Sequence, residues 1–351
     1  MPANKKVLLL HTGGTLGMHN LLPITVKRSR ADLARDLYTN VPELRALADI
    51  DVAVLMNKDS SSMRVSDWKE IGDAIRRGYN KYDGFVVVHG TDTMVFTAAA
   101  LSFMFKGLSK PVVLTGSQRP LVEIRSDARR NLINSVDLAA SGAICEVVIF
   151  FDSAVLRGNR AIKASIEEFA AFDSPNWPWL AKVGMEITIQ RRFLLARRGC
   201  SMKYSHGFDP GVLFLKYFPS MDLAPFIDAL ASHLFRGVVI EAYGAGNLPS
   251  DDGSYLEFLR VAQDKKIPVV IVSQAKQGSV RLDLYETGAV SLKRGAIGGC
   301  DITSEAAIVK MMKLLHDRVP YRGFKKAFLT PISGEISCYI SASSSRRRPP
   351  R

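Results

Sequence analysis

The sequence predicts an α/β protein in which a large N-terminal domain with a mostly parallel sheet is followed by a smaller C-terminal α/β domain. Short apolar runs rich in β-branched residues recur along the chain, and segments with helical spacing lie between them. Apolar strands that alternate with helices are typical of parallel sheets covered on both faces. The 351 residues, 47% of them hydrophobic, suffice for two cores of this kind.

Five predicted strands in the first half of the chain each lead into a polar or glycine-containing loop. They span residues 7–10, 52–56, 85–88, 112–114 and 147–151. Of the helices predicted between them, one has Ser66 as its N-cap and Asp67 in its first turn, and another begins near Thr93 and ends at Gly107. Their apolar faces comprise Trp68, Ile71 and Ile75 in the first and Met94, Ala98, Leu101 and Phe105 in the second.

The alternation of strands and helices stops after about residue 187 and resumes further along the chain. The polar, basic segment 191–212 is therefore predicted to be a linker between a domain over 1–190 and a smaller one over 213–340. The second domain carries apolar runs at 238–240 and 268–272 and a closing helix from about Thr303 to His316. The serine- and arginine-rich residues 341–351 are predicted to form a disordered basic tail.

The formal charge of +13 does not by itself indicate a nucleic-acid partner. Part of it lies in the tail, and the chain has no zinc-finger spacing, RNP-type aromatic motif or recognition-helix signature, so we interpret it as solvated surface. No apolar stretch approaches the roughly 18 residues of a membrane span. The apolar run before His11 is also too short for a signal-peptide core. A cytoplasmic location without membrane contact is expected.

The cysteines are predicted to be reduced thiols. They lie far apart, without a Cys-x-x-Cys pair, at Cys145, Cys200, Cys300 and Cys338. This spacing favours neither a disulfide framework nor a zinc site. The sequence thus predicts no metal and no cofactor.

Two hydroxyl-bearing loops, 12–15 and 89–93, follow predicted buried strands, beyond whose carboxyl ends open parallel sheets bind ligands. A dinucleotide loop is disfavoured because Thr12 occupies its first glycine position. A threonine nucleophile needs a base within reach. His89, at a strand end, is expected to be structural, and Lys163 is the other candidate because a desolvated lysine can lose its proton near neutral pH.

Taken together, the motifs of this chain resemble the bacterial-type L-asparaginase family. The residues that carry the resemblance lie at 12–15, 89–93, 115–120, 126–132, 157–160, 174–176 and 243–247. Details such as Asp59, Ser60 and Ser61 are most similar to the type I, cytosolic branch. The resemblance covers nearly everything except the tail and implies that the smaller domain is flavodoxin-like.

The resemblance also implies roles for individual residues. Thr15 matches the nucleophile, and Thr91, Asp92 and Lys163 match a triad that activates the attacking group or the hydrolytic water. The substrate is held by Thr91 and Asp92, with Ser60 and its neighbours Asp59 and Ser61 at the α-carboxylate. Asn247 matches a position contributed across a subunit interface. The implied reaction releases ammonia and then aspartate from L-asparagine through an acyl-enzyme ester.

Three departures from the family pattern bear on activity. Loop 18–23 has a leucine in place of a tyrosine that hydrogen-bonds the nucleophile, and His19 is a candidate substitute. Ser62 stands where an acidic residue is usual. Glu241 and Ala275 replace an arginine and a cysteine that form an allosteric asparagine site in some type I enzymes, so no such allostery is expected.

The leading hypothesis is a cytosolic L-asparaginase that binds a small substrate and forms a homodimer or homotetramer. Pocket size cannot be read from the sequence, so a glutaminase or another ω-amidohydrolase is the close alternative. The ammonia-supplying subunit of a tRNA-dependent amidotransferase shares this domain and would suit the positive charge, although an extra domain is then expected before the first loop. A non-catalytic binding protein is least expected, because all four candidate catalytic side chains are present.

Overall fold

The computed structural model describes residues 5–17, 35, 37–196 and 201–338, and the chain divides into two units, Met1–Pro210 and Gly211–Arg351. Loop 18–23 and the tail, 341–351, lie outside the described residues. Part of the predicted linker, 191–212, belongs to the first unit, because Lys203–Tyr204 pairs with Phe105–Lys106 there.

The first unit is built around one large sheet with short strands at its margin. Its strands are β1 (Lys6–Gly13), β2 (Asp49–Lys58), β3 (Gly84–Val88), β4 (Phe105–Lys106), β5 (Val112–Thr115), β6 (Val147–Phe151), β7 (Ala154–Arg157), β8 (Ile162–Lys163), β9 (Phe172–Asp173), β10 (Ala181–Val183), β11 (Ile187–Ile189) and β12 (Lys203–Tyr204). The helices described in this unit include α1 (Leu44–Leu47), α2 (Val65–Gly78), α3 (Met94–Met104) and α4 (Ala128–Ser141).

The large sheet has the order β11-β10-β7-β6-β5-β3-β1-β2. The five strands from β6 to β2 are parallel, which confirms the predicted mostly parallel sheet, and β7, β10 and β11 add antiparallel strands at one edge. Every residue of β3, β5 and β6 is buried, because helices cover both faces of this central part. Because β1, β2, β3 and β5 are parallel, the loops that follow them all lie at the carboxyl ends of the strands.

Two predicted helix ends differ from the structure. Helix α2 begins at Val65 with Arg64 as its N-cap, rather than with Ser66, because the Asp67 carboxylate accepts the amide N–H of Arg64 at 2.8 Å. Helix α3 begins after Thr93, as predicted, but ends at Met104. Phe105 was predicted to continue the apolar face of this helix, yet it starts strand β4.

The second unit contains a four-stranded parallel sheet in the order β13-β14-β15-β16. The strands are β13 (Val212–Lys216), β14 (Gly237–Ala242), β15 (Val269–Ser273) and β16 (Ile297–Gly298). The helices are α5 (Ala224–Ala231), α6 (Gly253–Asp264), α7 (Glu286–Lys293), α8 (Ser304–His316) and α9 (Tyr321–Leu329). The smaller α/β unit and its helix near 303–316 are thus as predicted.

A buried ion pair fixes the segment that follows α9 in the second unit. The Lys310 ammonium on α8 lies 2.5 Å from the Glu335 carboxylate, and neither side chain is exposed. Lys310 also donates to the Thr330 carbonyl at 2.9 Å, and Glu335 accepts backbone N–H groups of Ile332 and Ser333. Because both charges are compensated and hydrogen-bonded, the segment after α9 is held against α8.

The predicted reduced state of the cysteines is wrong for one pair. Cys300 and Cys338 form a disulfide between Cα atoms 5.2 Å apart, although 38 residues separate them in sequence. The Ser337 N–H donates to the Asp301 carboxylate at 2.6 Å, so the segment before Cys338 lies against the residue that follows Cys300. The spacing of cysteines in the sequence cannot show that two distant segments meet in this way. The thiol of Cys145 donates to the Ser109 carbonyl at 3.0 Å, and Cys200 lies outside the described residues.

Within the described residues, no helix is both long and apolar enough to cross a membrane. The same residues contain no cluster of three or more histidine, cysteine, aspartate or glutamate side chains arranged to hold a metal ion.

Candidate active site

The Lys163 ammonium brings together three of the predicted site residues. It donates to the Thr91 hydroxyl at 2.9 Å and to the Asp92 carboxylate at 2.5 Å. Lys163 lies on β8, which forms a short antiparallel pair with β9, whereas Thr91 and Asp92 lie in the loop after β3. The lysine side chain is 17% exposed and the aspartate side chain 61% exposed. The ammonium is thus held in the protein while the carboxylate reaches solvent.

The loops after β1 and β3 pack against each other without side chains between them. A Cβ on Gly14 would lie 2.6 Å from both the Cα and the N of Gly90, and one on Gly90 would lie 2.7 Å from the Ser60 Oγ. Gly14 has a φ of +85°, and its N–H donates to the Lys58 carbonyl at 3.2 Å. Three loops therefore meet at a point that only glycine fits.

The two threonines of the first loop have different surroundings. The Thr12 side chain is buried, and its hydroxyl donates to the Val88 carbonyl at 2.9 Å, so it joins β1 to β3. Thr15 begins a 3₁₀ helix, Thr15–Gly17, just beyond the strand and is half-buried. Of the two threonine hydroxyls in this loop, that of Thr15 therefore lies beyond the carboxyl end of β1.

The loop after β2 joins the site through Ser60. Ser60 is 3% exposed, its Oγ accepts the Asp92 N–H at 3.2 Å, and its carbonyl accepts the Thr93 hydroxyl at 2.7 Å. The exposed Asp59 carboxylate accepts the hydroxyl and the amide N–H of Ser61 at 2.7 and 2.8 Å, and these bonds lower the pKa of Asp59. Ser60 thus positions Asp92. The substrate contacts of Asp59, Ser60 and Ser61 stay a prediction.

Two histidines near the site are buried and held neutral. His89, 1% exposed, has its Nδ1 at 2.7 Å from the Gly90 carbonyl and its Nε2 at 2.9 Å from the Thr97 hydroxyl. Burial lowers the pKa of His89 to about 4, and it does the same to His11 on β1. The environment of His89 agrees with the structural role expected from the sequence.

Gln118 and Asp127 were not assigned a role from the sequence, although both lie in motifs that carry the family resemblance. The buried Asp127 carboxylate accepts the N–H of Gln118 at 3.0 Å and that of Arg119 at 3.1 Å, which fixes the loop after β5. The Gln118 side-chain amide donates to the carbonyls of Ile166 and Glu168, both at 3.1 Å. This amide therefore holds the segment that follows Lys163.

Asn247 lies in the second unit, in a tight turn after β14. Its N–H donates to the Tyr243 carbonyl at 2.8 Å, and its side-chain oxygen accepts the Thr287 hydroxyl at 3.0 Å. Nearby, Glu241 accepts the Ser304 hydroxyl and forms an ion pair with Lys216 at 3.4 Å. Glu241 thus already has partners of its own within this unit.

Comparison with known proteins identifies the family. The model for the N-terminal asparaginase domain matches residues 6–194, and the model for the glutaminase/asparaginase C-terminal domain matches residues 211–328. The chain belongs to the asparaginase family. It is accordingly an amidohydrolase, and both matches agree with the two α/β units described above.

Individual relatives of this asparaginase-family chain carry different names. L-asparaginase 1 of Escherichia coli strain K12 is 36% identical, over 95% of this chain and 98% of its own length. A glutamyl-tRNA(Gln) amidotransferase subunit of Aeropyrum pernix is 37% identical, over 96% of this chain and 80% of its own length. Among solved structures, L-asparaginase I of Vibrio cholerae superposes with a TM-score of 0.84 at 33% identity, covering 95% of this chain and 100% of its own.

Proposed function

We propose that this protein hydrolyses the side-chain amide of L-asparagine to L-aspartate and ammonia through an acyl-enzyme ester on Thr15. The observation that carries the proposal is the Lys163 ammonium, which contacts both the Thr91 hydroxyl and the Asp92 carboxylate. Lysine and threonine in direct contact offer a path for a proton next to a carboxylate that balances the charge.

The proposed first half-reaction forms an ester and releases ammonia. The Thr15 hydroxyl oxygen attacks the amide carbon and loses its proton, and the amide nitrogen gains a proton and departs. In the second half-reaction, water attacks the ester carbon, and the proton that it loses passes by way of the Thr91 hydroxyl to the Thr15 oxygen, which leaves as a hydroxyl. The Lys163 ammonium, which donates to Thr91, stabilises the negative charge that develops during this transfer. Acid–base assistance of this kind is worth ~10²–10⁴ in rate.

Asp92 also suits recognition of the substrate α-ammonium. Its carboxylate is 61% exposed, and its backbone is fixed by Ser60, so the charge is presented in a defined place. Helix α3 begins two residues later, at Met94, and its amino end favours negative charge such as a developing oxyanion. The substrate in this proposal is thus a small amino acid with an ω-amide.

Further parts of the proposal concern assembly and location. We propose a cytoplasmic homodimer or homotetramer in which Asn247 completes the site of a neighbouring subunit. Mixing an Asn247→Ala variant with a Thr15→Ala variant tests the shared site, because subunit exchange should restore activity to two inactive parents. No restoration after demonstrated exchange would contradict it.

Two alternatives are separated by direct measurement. A preference for glutamine is tested with asparagine and glutamine in competition, and faster glutamine turnover would overturn the proposed substrate. The amidotransferase alternative is favoured by the 37% identity to the Aeropyrum pernix protein. Purification of the chain with tRNA or a partner protein, and activity only in that complex, would establish this alternative instead.

The central test measures ammonia release from L-asparagine by the wild type, Thr15→Ala and Lys163→Met. Both variants should lose at least ~10²-fold in rate. Lys182→Met, which changes an exposed lysine on β10, is the matched control and should keep wild-type activity. Folding is checked by circular dichroism and oligomeric state by gel filtration. Wild-type rates in folded Lys163→Met would overturn the proposal.

A further inference from the structure

A chain of hydrogen bonds leads from helix α2 to the loop that carries Thr91. Trp68 on α2 donates its indole N–H to the Thr97 hydroxyl on α3 at 3.1 Å, and this hydroxyl lies 2.9 Å from the His89 Nε2. The His89 Nδ1 lies 2.7 Å from the Gly90 carbonyl. All three side chains are buried, at 7%, 0% and 1% exposure for Trp68, Thr97 and His89.

The two ends of this series of hydrogen bonds determine which atom is the donor in each bond. The indole N–H can only donate and the Gly90 carbonyl can only accept. The His89 Nδ1 must therefore carry a proton, because a bare nitrogen would face the carbonyl oxygen at 2.7 Å. Since the buried imidazole is neutral, its Nε2 is bare and accepts the Thr97 proton, and Thr97 in turn accepts from Trp68.

We propose that Trp68, Thr97 and His89 form a positioning relay that fixes the Gly90–Thr91 peptide and so holds the Thr91 hydroxyl against the Lys163 ammonium. This inference deepens the proposed function and rests on it for its kinetic consequence. Within the described residues, no hydrogen bond joins these three side chains to Lys163 or Asp92. They therefore act as positioning residues rather than catalytic ones.

Gly90 explains why the loop needs such a relay. The close packing against Gly14 and Ser60 excludes any side chain at position 90. Without a Cβ, the backbone of glycine has more accessible conformations than that of any other residue. The hydrogen bond from the His89 Nδ1–H to the Gly90 carbonyl removes this conformational freedom at the residue directly before Thr91. Small displacements of a reacting group can cost ~10²-fold in rate.

The test compares Thr97→Val, which keeps the shape but removes the hydroxyl, with Thr97→Ser, which restores it. We expect Thr97→Val to lower kcat for asparagine by at least about 10-fold while KM changes by less than about 3-fold, and Thr97→Ser to recover most of the loss. Thr188→Val, at an exposed position of β11, is the matched control and should leave both constants unchanged. Trp68→Phe should have a smaller effect, because Thr97 still donates to His89.

Nitrogen-15 spectra of selectively labelled histidine and lysine provide a readout that does not depend on activity. The wild type should show His89 protonated at Nδ1 only. Thr97→Val should shift the signal of the bare His89 Nε2, because this nitrogen loses its hydrogen bond, and should also shift the Lys163 signal. A wild-type proton on Nε2, an unchanged kcat in folded Thr97→Val, or a Thr97→Ser variant as impaired as Thr97→Val would overturn the relay. If the wild type does not hydrolyse asparagine, the proposed function fails, and the spectra alone decide on the relay.

Discussion

Gly14 lies against Gly90 so closely that a Cβ on the first would meet two backbone atoms of the second at 2.6 Å. Gly14 directly precedes Thr15, and Gly90 directly precedes Thr91 and Asp92. The contact therefore sets the spacing between the loop of the proposed nucleophile and the loop of the proposed proton-transfer group. Both neighbours at this contact are backbone, which cannot rotate away as a flexible side chain could. The loop spacing is therefore sensitive to a single methyl group.

We predict that Gly14→Ala severely impairs the protein. The added methyl must displace the backbone of Gly90, and the φ of +85° costs an L-residue about 1–2 kcal/mol in addition. Activity should fall by ~10²-fold or more and the free energy of unfolding should decrease. Gly323→Ala is the matched control, because a Cβ there meets nothing within 4 Å on helix α9. It should keep full activity, and equal effects of both substitutions would contradict the steric argument.

The buried histidines predict a pH dependence of stability. His11 and His89 titrate near 6.5 in the unfolded chain, but burial lowers their pKa to about 4 in the folded protein. The unfolded state therefore binds protons first as the pH falls, and the stabilisation present above about pH 6.5 is lost progressively toward pH 4. Each histidine contributes on the order of 3 kcal/mol to this loss.

Urea denaturation between pH 7.5 and 4.5 measures this contribution as the fall in the free energy of unfolding of the first unit. His89→Asn removes one of the two titrating groups and should make that fall smaller. An identical pH dependence in the variant and the wild type would show that His89 does not contribute.

The Lys310–Glu335 pair predicts that Lys310→Met strongly destabilises the second unit. Removing the ammonium leaves the Glu335 carboxylate buried without its counter-ion, which typically costs about 3–5 kcal/mol. Arg260→Met provides a comparison, because Arg260 forms ion pairs with Glu257 and Asp264 on the surface of α6. This second change should have little effect on thermal denaturation, since water screens exposed pairs. Equal losses in melting temperature would contradict the prediction.

The Cys300–Cys338 disulfide predicts a stability that depends on reductant. Closing a loop of 38 residues stabilises the folded state by roughly 4 kcal/mol in the chain-entropy account. Dithiothreitol should therefore lower the melting temperature of the wild type and leave that of Cys300→Ser/Cys338→Ser unchanged. Cys145→Ser should respond to reductant like the wild type. The prediction fails if the double variant and the wild type respond alike.

The central sheet could be predicted because burial on both faces imposes continuous apolar runs. This is why 85–88 and 147–151 are strands in both the sequence and the structure. The residues at which helices and strands begin and end are harder to predict from the sequence. Phe105 fits the helical spacing of α3 as well as it fits strand β4, and its pairing with Tyr204 decides between them. Such a partner, far along the chain, has no signature in a local window.

The candidate site was predicted through the family resemblance and not through local chemistry, and its residue roles stay a prediction. Lys163 is 71 positions from Asp92, and only the folded sheet brings the two together. The supporting residues were missed for a related reason. Asp127 and Gln118 act through bonds to backbone groups, and a backbone partner leaves no trace in the residue types of a sequence.

The position of Glu335, 25 residues after Lys310, has a consequence for how the chain is made. Helix α8 leaves the ribosome while the carboxylate that neutralises its inward-facing ammonium is still inside the exit tunnel. Until residue 335 emerges, closing the second unit would bury an uncompensated charge, so this unit completes its folding only after residue 335 has left the ribosome. A premature stop codon between Leu329 and Glu335 should for that reason yield a product that quality-control proteases remove, even though every strand and helix described for the unit is encoded.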